Sequence, residues 1–390
     1  MKYNLMQIFY WLAICSLHGF AAIFLSSKGL TNTEIGAATG GACILAIPLA
    51  PLLSSISIKF NKISLQKFIA GAMIFAAAAY LMMAFIPLPS YLMIALYIMG
   101  CCIGMSQVAF LSQLSMDYIE RGNKLNFGLA RGLGSFAYAV GAIIFSEAAT
   151  RYTPSVLAIL CTFFSVLFCI SLFQVKPVYA CESGKKEKGG SLLGCIGRYP
   201  GYFIILIGVA CIFAGAAPLS TYLINIIKSN GGSESIYGIA VFCMSTLELP
   251  VMALTDKLIE RFGTTKLIAA AVVLFALRNL LVAASPNLSV LIVGIALRGI
   301  AYGLLIAVLT VHVSRHLRMS DQVMGQTLIV IMTSGIGSTI GNMSGGWMLD
   351  NMGMPAVMTG TILISLIAVC IVSAVCMKPK KEKRLTAAYR

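Results

Sequence analysis

The chain has 390 residues, of which 59% are hydrophobic and only 11% charged, and its formal net charge is +15. A soluble domain carries about 25% charged residues, so the composition excludes a soluble enzyme or binding module and indicates a polytopic membrane protein. A charge of +15 would suit a nucleic-acid partner, but its placement along the chain gives it another role.

About 20 apolar residues cross a bilayer. Twelve runs meet that length: 6–26, 35–57, 66–87, 91–116, 127–148, 154–174, 201–226, 237–255, 267–284, 288–313, 324–348 and 355–377. The first follows a single lysine, an outline shared with signal peptides, and is read as an uncleaved span because so many spans follow. Turn-forming residues mark the breaks, at 26–32, 87–90, 285–287 and 350–355. The expected fold class is therefore an all-α polytopic membrane protein with twelve transmembrane helices. Most of the 12 cysteines fall inside apolar spans without metal-type spacing, so they read as buried thiols. No phosphate-binding loop is present, and no nucleophile–base arrangement is legible. No catalytic residue, metal or cofactor is expected, and no enzyme activity.

The cations sort by side. Twenty-two of the 28 basic residues lie at the two ends of the chain or in one alternating set of breaks, with clusters at Lys59, Lys62, Lys67 and at Lys257, Arg261, Lys266. The other set holds Lys28, Arg151 and Lys228 alone. The positive-inside rule then puts both termini in the cytoplasm of a cell whose inner (plasma) membrane holds the protein. The positive charge is topological, and no nucleic-acid partner is expected.

The longest polar stretch, 176–200, contains Gly-Lys-Lys-Glu-Lys-Gly-Gly and reads as a flexible cytoplasmic linker. It divides the chain into a bundle at 1–175, a second at 201–377 and a basic tail at 378–390. The halves echo one another. Pro48 is followed eleven residues later by Lys59-Phe60-Asn61, and Pro250 at the same distance by Arg261-Phe262-Gly263. Gly100 and Gly104 in span four correspond to Gly299 and Gly303 in span ten. Together these matches point to two pseudo-symmetric six-helix bundles.

Span five opens Phe127-Gly-Leu-Ala-Arg131-Gly-Leu-Gly134-Ser135, and Ala130, Gly134, Ala137 and Gly141 share one helical face. Small residues on one face let membrane helices approach closely. Arg131 reads either as an anchor at the cytoplasmic end, beside Arg121 and Lys124, or as a charge turned into the bundle. The motif resembles that of one branch of the major facilitator superfamily, the oligosaccharide (lactose permease-like), nucleoside and 3-phenylpropionate proton symporters. The resemblance implies that Arg131 binds solute and that Tyr138, seven residues on, stacks against it. Gln113 stands where lactose permease-like members carry the arginine's glutamate partner, and Ala301 where they carry a proton-carrying glutamate. Ile58 falls near the aspartate expected between spans two and three.

Three more ionisable residues fall inside spans: Glu248, Arg278 and Arg298. A charge at that depth costs about 2.5–3.5 kcal/mol on an insertion scale and is usually paired or functional. One reading is an ion pair that only joins helices. The other is a coupling site, in which burial and a neighbouring arginine pull the proton affinity of Glu248 in opposite directions. On the resemblance, Arg278 matches a span-nine arginine, and Arg298 falls where such families often have histidine. Arg131, Gln113, Tyr138 and Arg298 are thus the expected solute-binding residues, and Glu248, Arg278 and Arg298 the expected proton-coupling residues. Glu147 and Arg151 read as a surface pair. Asn342 reads as helix-packing glue, His18 as a hydrogen-bonded helix–helix contact ahead of a cavity-lining residue, and Asp117 as the end of span four.

The function expected is secondary active transport: proton-coupled symport of a small polar organic solute (a sugar, nucleoside or organic anion) by a monomer that alternates access across the lipid bilayer. Efflux of sugars or drugs, or a non-transporting receptor or scaffold, are the alternatives.

Overall fold

The structure, a computed structural model, describes residues 2–59, 63–120, 127–174 and 192–376. Most of the 176–200 linker, all of the basic tail from 378, and the Asp117 side chain lie outside the described residues. Apolar runs this long become helices because a backbone in hydrocarbon must satisfy its own hydrogen bonds. In chain order these are α1 (Lys2–Ile14), α2 (Ala21–Ser27), α3 (Asn32–Lys59), α4 (Leu65–Phe85), α5 (Ser90–Glu120), α6 (Phe127–Arg151) and α7 (Val156–Phe173). The second half contains α8 (Leu192–Arg198), α9 (Pro200–Thr221), α10 (Leu223–Ser229), α11 (Glu234–Phe262), α12 (Thr264–Ala283), α13 (Leu288–His316), α14 (Met319–Val330), α15 (Ser338–Asn351) and α16 (Met354–Cys376).

Among the described residues, eleven helices are long and apolar enough to cross a membrane, and a bent pair taken as one span makes the twelfth. That pair is span one. A π-helical turn, Cys15–Gly19, joins α1 to a bend of 53° before α2. Span eleven is likewise α14 and α15 joined by a π segment, Ile331–Gly337. Span seven breaks at Tyr222, between α9 and α10. None of these interruptions was expected from hydropathy, which reads through them as one apolar run. The end of the polar linker also differs from a wholly flexible reading. Residues 192–198 form α8, and Arg198 is paired with the buried Asp321 in the first turn of α14. Tyr199 accepts from the Arg318 amide at 3.0 Å and donates to Asp321 at 3.2 Å, which holds the linker's end against span eleven.

The small-residue face of α6 packs on span one. A Cβ on Gly134 would run into the Trp11 indole, and one on Gly141 would stand 2.6 Å from Leu12. The buried apolar residues form two clusters. One is built from α1–α7, the other from α8, α9, α11–α14 and α16. The first cluster also takes in Leu219, Tyr222–Ile227, Tyr237 and Ile295 from the second half. The two halves therefore share a core at one end only.

That end is the one where α3 begins and α15 stops, opposite the start of α1. Twelve spans return the chain to the side where α1 starts, so this face lies away from the start of α1 and the end of α16. Gly36 of α3 meets the Asn342 backbone, and Gly346 of α15 meets the Asn32 backbone; a Cβ at either position has no room. The Asp350 carboxylate accepts from the Asn32 side-chain amide at 2.8 Å, and from the Thr33 amide and hydroxyl at 2.6 Å each. Tyr222 donates to the Asn32 carbonyl at 2.7 Å, and Thr339 to the Gly40 carbonyl at 3.0 Å. A seam of close backbone contact and hydrogen bonds closes this face.

Candidate binding cavity

Beneath the seam, between the halves, is a cavity of about 210 Å³. Span one supplies His18 and Gly19, α5 supplies Tyr97 and α6 supplies Tyr138. The opposite wall carries Tyr237 of α11, Arg278 of α12, Arg298 of α13 and Asn342 of α15. The break in span one shapes the near wall. Tyr237 donates to the Gly19 carbonyl and packs edge-on against Phe20 with ring centroids 5.0 Å apart. A side chain at Gly19 would stand 2.7 Å from the Tyr138 hydroxyl, so glycine there lets Tyr138 reach the cavity. His18 is exposed to the cavity and makes no hydrogen bond among the described residues, in place of the helix–helix contact expected of it.

Arg278 is 1% exposed. Its guanidinium donates to Asn279 at 2.8 Å, Asn279 donates to Ser365 at 2.9 Å, and Ser365 to the Thr361 carbonyl at 2.7 Å, a chain that fixes Arg278 against α16. Arg298 donates to the Met244 thioether at 2.9 Å. The Nε atoms of both arginines are buried and have no hydrogen-bond partner. Asn342 accepts from Thr221 at 2.8 Å while lining the cavity, so its packing role does not take it out of the site.

A second group lies toward the termini. Arg131 sits one turn into α6, whereas Tyr138 is seven residues, about 10 Å, deeper. The Arg131 guanidinium lies over the Trp11 ring, 4.1 Å from its centroid, and donates to Ser135 at 3.1 Å. Trp11 donates to Gln7, Gln7 to Tyr3, and Tyr3 to the Leu111 carbonyl, so the indole is held by a chain reaching α5. Across the interface, Met244 and Glu248 are four apart on α11 and face Arg298 and Tyr302, four apart on α13. Gly299 and Gly303 make this possible. A Cβ on Gly299 would overlap the Met244 carbonyl, and one on Gly303 would stand 3.2 Å from the Glu248 Cγ. The glycine pair of span ten thus lets α11 approach and sets the depth of Glu248.

Glu248 is half-buried, and Arg298 and Arg131 both act on it electrostatically. It forms no ion pair within 4.0 Å among the described residues, where the pairs found are Arg151–Glu147 and Arg198–Asp321. The surface pair at Glu147 and Arg151 is as expected. Of the arginines considered as partners for Glu248, Arg298 is within electrostatic reach. Arg278 is not among the charges acting on it, and the charge nearest in effect to Arg278 is Arg298. The structure therefore brings together Tyr138, Arg278 and Arg298 in the cavity, and Arg131 and Glu248 beside it, with Arg298 common to both groups. Gln113 is half-buried, is not in the cavity lining, and makes no hydrogen bond among the described residues. Trp11, Tyr237 and Tyr302 were missed by sequence reasoning. Trp11 carried a signal, being one of two tryptophans and two turns before His18 on the same face of span one.

The sequence pattern of the MFS_1 like family matches residues 1–360. The chain belongs to this family. It is an all-α, multi-pass membrane protein with the two-bundle, twelve-helix fold of the major facilitator superfamily. Among curated relatives, a maltose permease of Geobacillus stearothermophilus is 23% identical over 236 residues, which is 60% of this chain and 58% of that protein's length. Solved structures share the family fold at lower identity. The nucleoside transporter NupG superposes with a TM-score of 0.81 at 15% identity, covering 97% of this chain and 99% of that one. A bacterial homologue of the human lysosomal transporter Spinster gives 0.67 at 13% identity, covering 96% of each chain.

Proposed function

We propose that this protein is a secondary active transporter that couples proton movement to symport of a small polar organic solute by alternating access. The observation that carries this reading is the position of Arg298. It lines a cavity closed on one face by the α3–α15 seam, and it also acts on Glu248, a carboxylate within span eight. A solute that engages Arg298 changes the field at Glu248, and protonation of Glu248 changes the field at the solute. That reciprocity is what coupling requires. Arg131 on Trp11 stands at the terminus-side entrance of the cavity, as a binding residue for solute entering or leaving there. Tyr138 is a binding residue at its centre. The cation asymmetry supports a topology with both termini in the cytoplasm of a cell whose plasma membrane holds the protein, and on that topology the closed face is the outer one. The names of its relatives put sugars such as maltose, and nucleosides, in the first solute panel.

Reconstituted vesicles test the reading. Glu248→Gln imitates the protonated side chain, so the variant is expected to exchange labelled solute in counterflow while losing accumulation driven by a proton gradient alone. Accumulation that persists in Glu248→Gln places coupling elsewhere. Loss of counterflow as well assigns Glu248 to binding or packing.

A further inference from the structure

Arg278 and Arg298 are two cations on the wall of one cavity, and no aspartate or glutamate is among the residues that line it. Arg278 is almost fully buried, and its one hydrogen bond to a side chain goes to the neutral Asn279. Arg298 has only a thioether, a weak acceptor. Each guanidinium keeps a buried Nε–H without a partner. A guanidinium carries five N–H donors in a rigid fork suited to carboxylate or phosphate. A buried charge without a counter-ion is strongly unfavourable, and Glu248, which acts on Arg298 from outside the cavity lining, relieves it only in part. Glu248 makes no ion pair with Arg298 and is not among the charges that act on Arg278. A ligand carrying an anionic group would supply the counter-charge that the lining residues do not.

We propose that Arg278 and Arg298 form an anion subsite and that the solute is a small organic anion. Its carboxylate or phosphate head lies between the two guanidiniums, and its body against Tyr97, Tyr138 and His18 on the opposite wall. The size agrees. A cavity of about 210 Å³ has room for a small organic molecule beside the two arginines. The tyrosine rings offer apolar faces as well as hydroxyls. The proposal rests on the transport reading for its word solute, but the subsite itself is a matter of binding, and the two are separable.

The test uses the full chain purified in detergent and pairs of near-identical shape: benzoate against benzamide, and glucuronate against glucose. Phenyl phosphate is the phosphate arm, and chloride alone the inorganic control. Thermal unfolding is expected to shift upward with an acid and not with its neutral partner, and comparison of benzoate with phenyl phosphate identifies the head group. Arg298→Gln is expected to weaken acid binding by at least ~10-fold, the scale of one hydrogen bond to a charged group. Because Arg278 is buried and its removal could prevent folding, Arg278→Lys is the second variant. It keeps the charge and removes the fork, and is expected to weaken binding while the protein remains monodisperse. Equal shifts from both members of each pair overturn the subsite, as does the same shift from chloride alone, no shift from any acid, or unchanged acid affinity in both variants. Counterflow in vesicles separates the two readings. Acid binding without any counterflow ends the transport reading and leaves the subsite standing. Counterflow of glucose or uridine that no acid inhibits does the reverse.

Discussion

At Arg131 the plane of the side chain matters as much as its charge. The guanidinium lies over Trp11 and reaches Ser135, an arrangement that a lysine ammonium cannot reproduce because it lacks both the planar face and the fork. A cation over an indole contributes about 0.5–2 kcal/mol, more where water is excluded. Arg131→Lys is therefore expected to lower the uptake rate about tenfold while membrane abundance stays near that of the unaltered protein. Uptake assays beside quantitative blotting check this, and unchanged uptake would make Arg131 an interfacial anchor. The residues legible in advance were those whose type is out of place in an apolar run: Arg131, Glu248, Arg278 and Arg298. Their partners were not legible, because a motif gives a position and not the direction of a side chain. Gln113 was expected beside Arg131 and is in neither group, while Trp11, which looks like one more apolar residue of span one, is the ring on which Arg131 rests.

Elements were legible where they depend on local composition, and illegible where a distant contact makes them. Hydropathy alone locates twelve spans. It does not locate the break in span one, whose free Gly19 carbonyl is taken by Tyr237 from the other half of the chain. The glycines of span ten lie between these cases. Their spacing is visible, and what they admit is the backbone of α11 bearing Glu248. Adding a methyl at Gly299 has to push α11 away, since the obstacle is a main-chain carbonyl and not a side chain that can turn aside. Overpacking of this kind costs about 1–3 kcal/mol. Gly299→Ala is expected to lower Tm and to abolish gradient-driven uptake, because Glu248 moves with its helix. Gly71→Ala on α4, where a Cβ meets nothing within 4 Å, is the matched control and is expected to leave both unchanged. Equal behaviour of the two variants would show that the α11–α13 approach does not govern the position of Glu248.

For the whole molecule, the cation asymmetry and the closed seam make separate statements that can be tested together. On the proposed topology Ser183 is cytoplasmic and Ser285 outside, so cysteines substituted there are expected to react with an impermeant maleimide from opposite faces of oriented vesicles. Reaction of both from one face overturns the topology. The seam concerns which face is closed, and Asp350 is its main polar fastening. One carboxylate at the end of α15 receives four donors from Asn32 and Thr33 at the start of α3, two of them backbone amides at a helix N-terminus, where negative charge is favoured. Nothing in the sequence marked it, since Asp350 stands in an ordinary turn and its partners lie more than 300 positions away. A hydrogen bond to a charged group contributes about 1.5–3 kcal/mol, and on the proposed alternating-access reading this contribution is given up whenever that face opens. Asp350→Ala should therefore leave the cavity residues in place and move the conformational equilibrium by about tenfold toward the outward-open form. Spin labels on cysteines at Ser26 and Met352, both exposed at that face, read the separation of the halves once accessible native cysteines are replaced by serine. The expected result is a longer distance gaining population in Asp350→Ala, with solute affinity from the outside rising as the competent state becomes more common. A distance distribution identical to that of the unaltered protein would mean that the glycine contacts at Gly36 and Gly346 hold the face closed without the carboxylate.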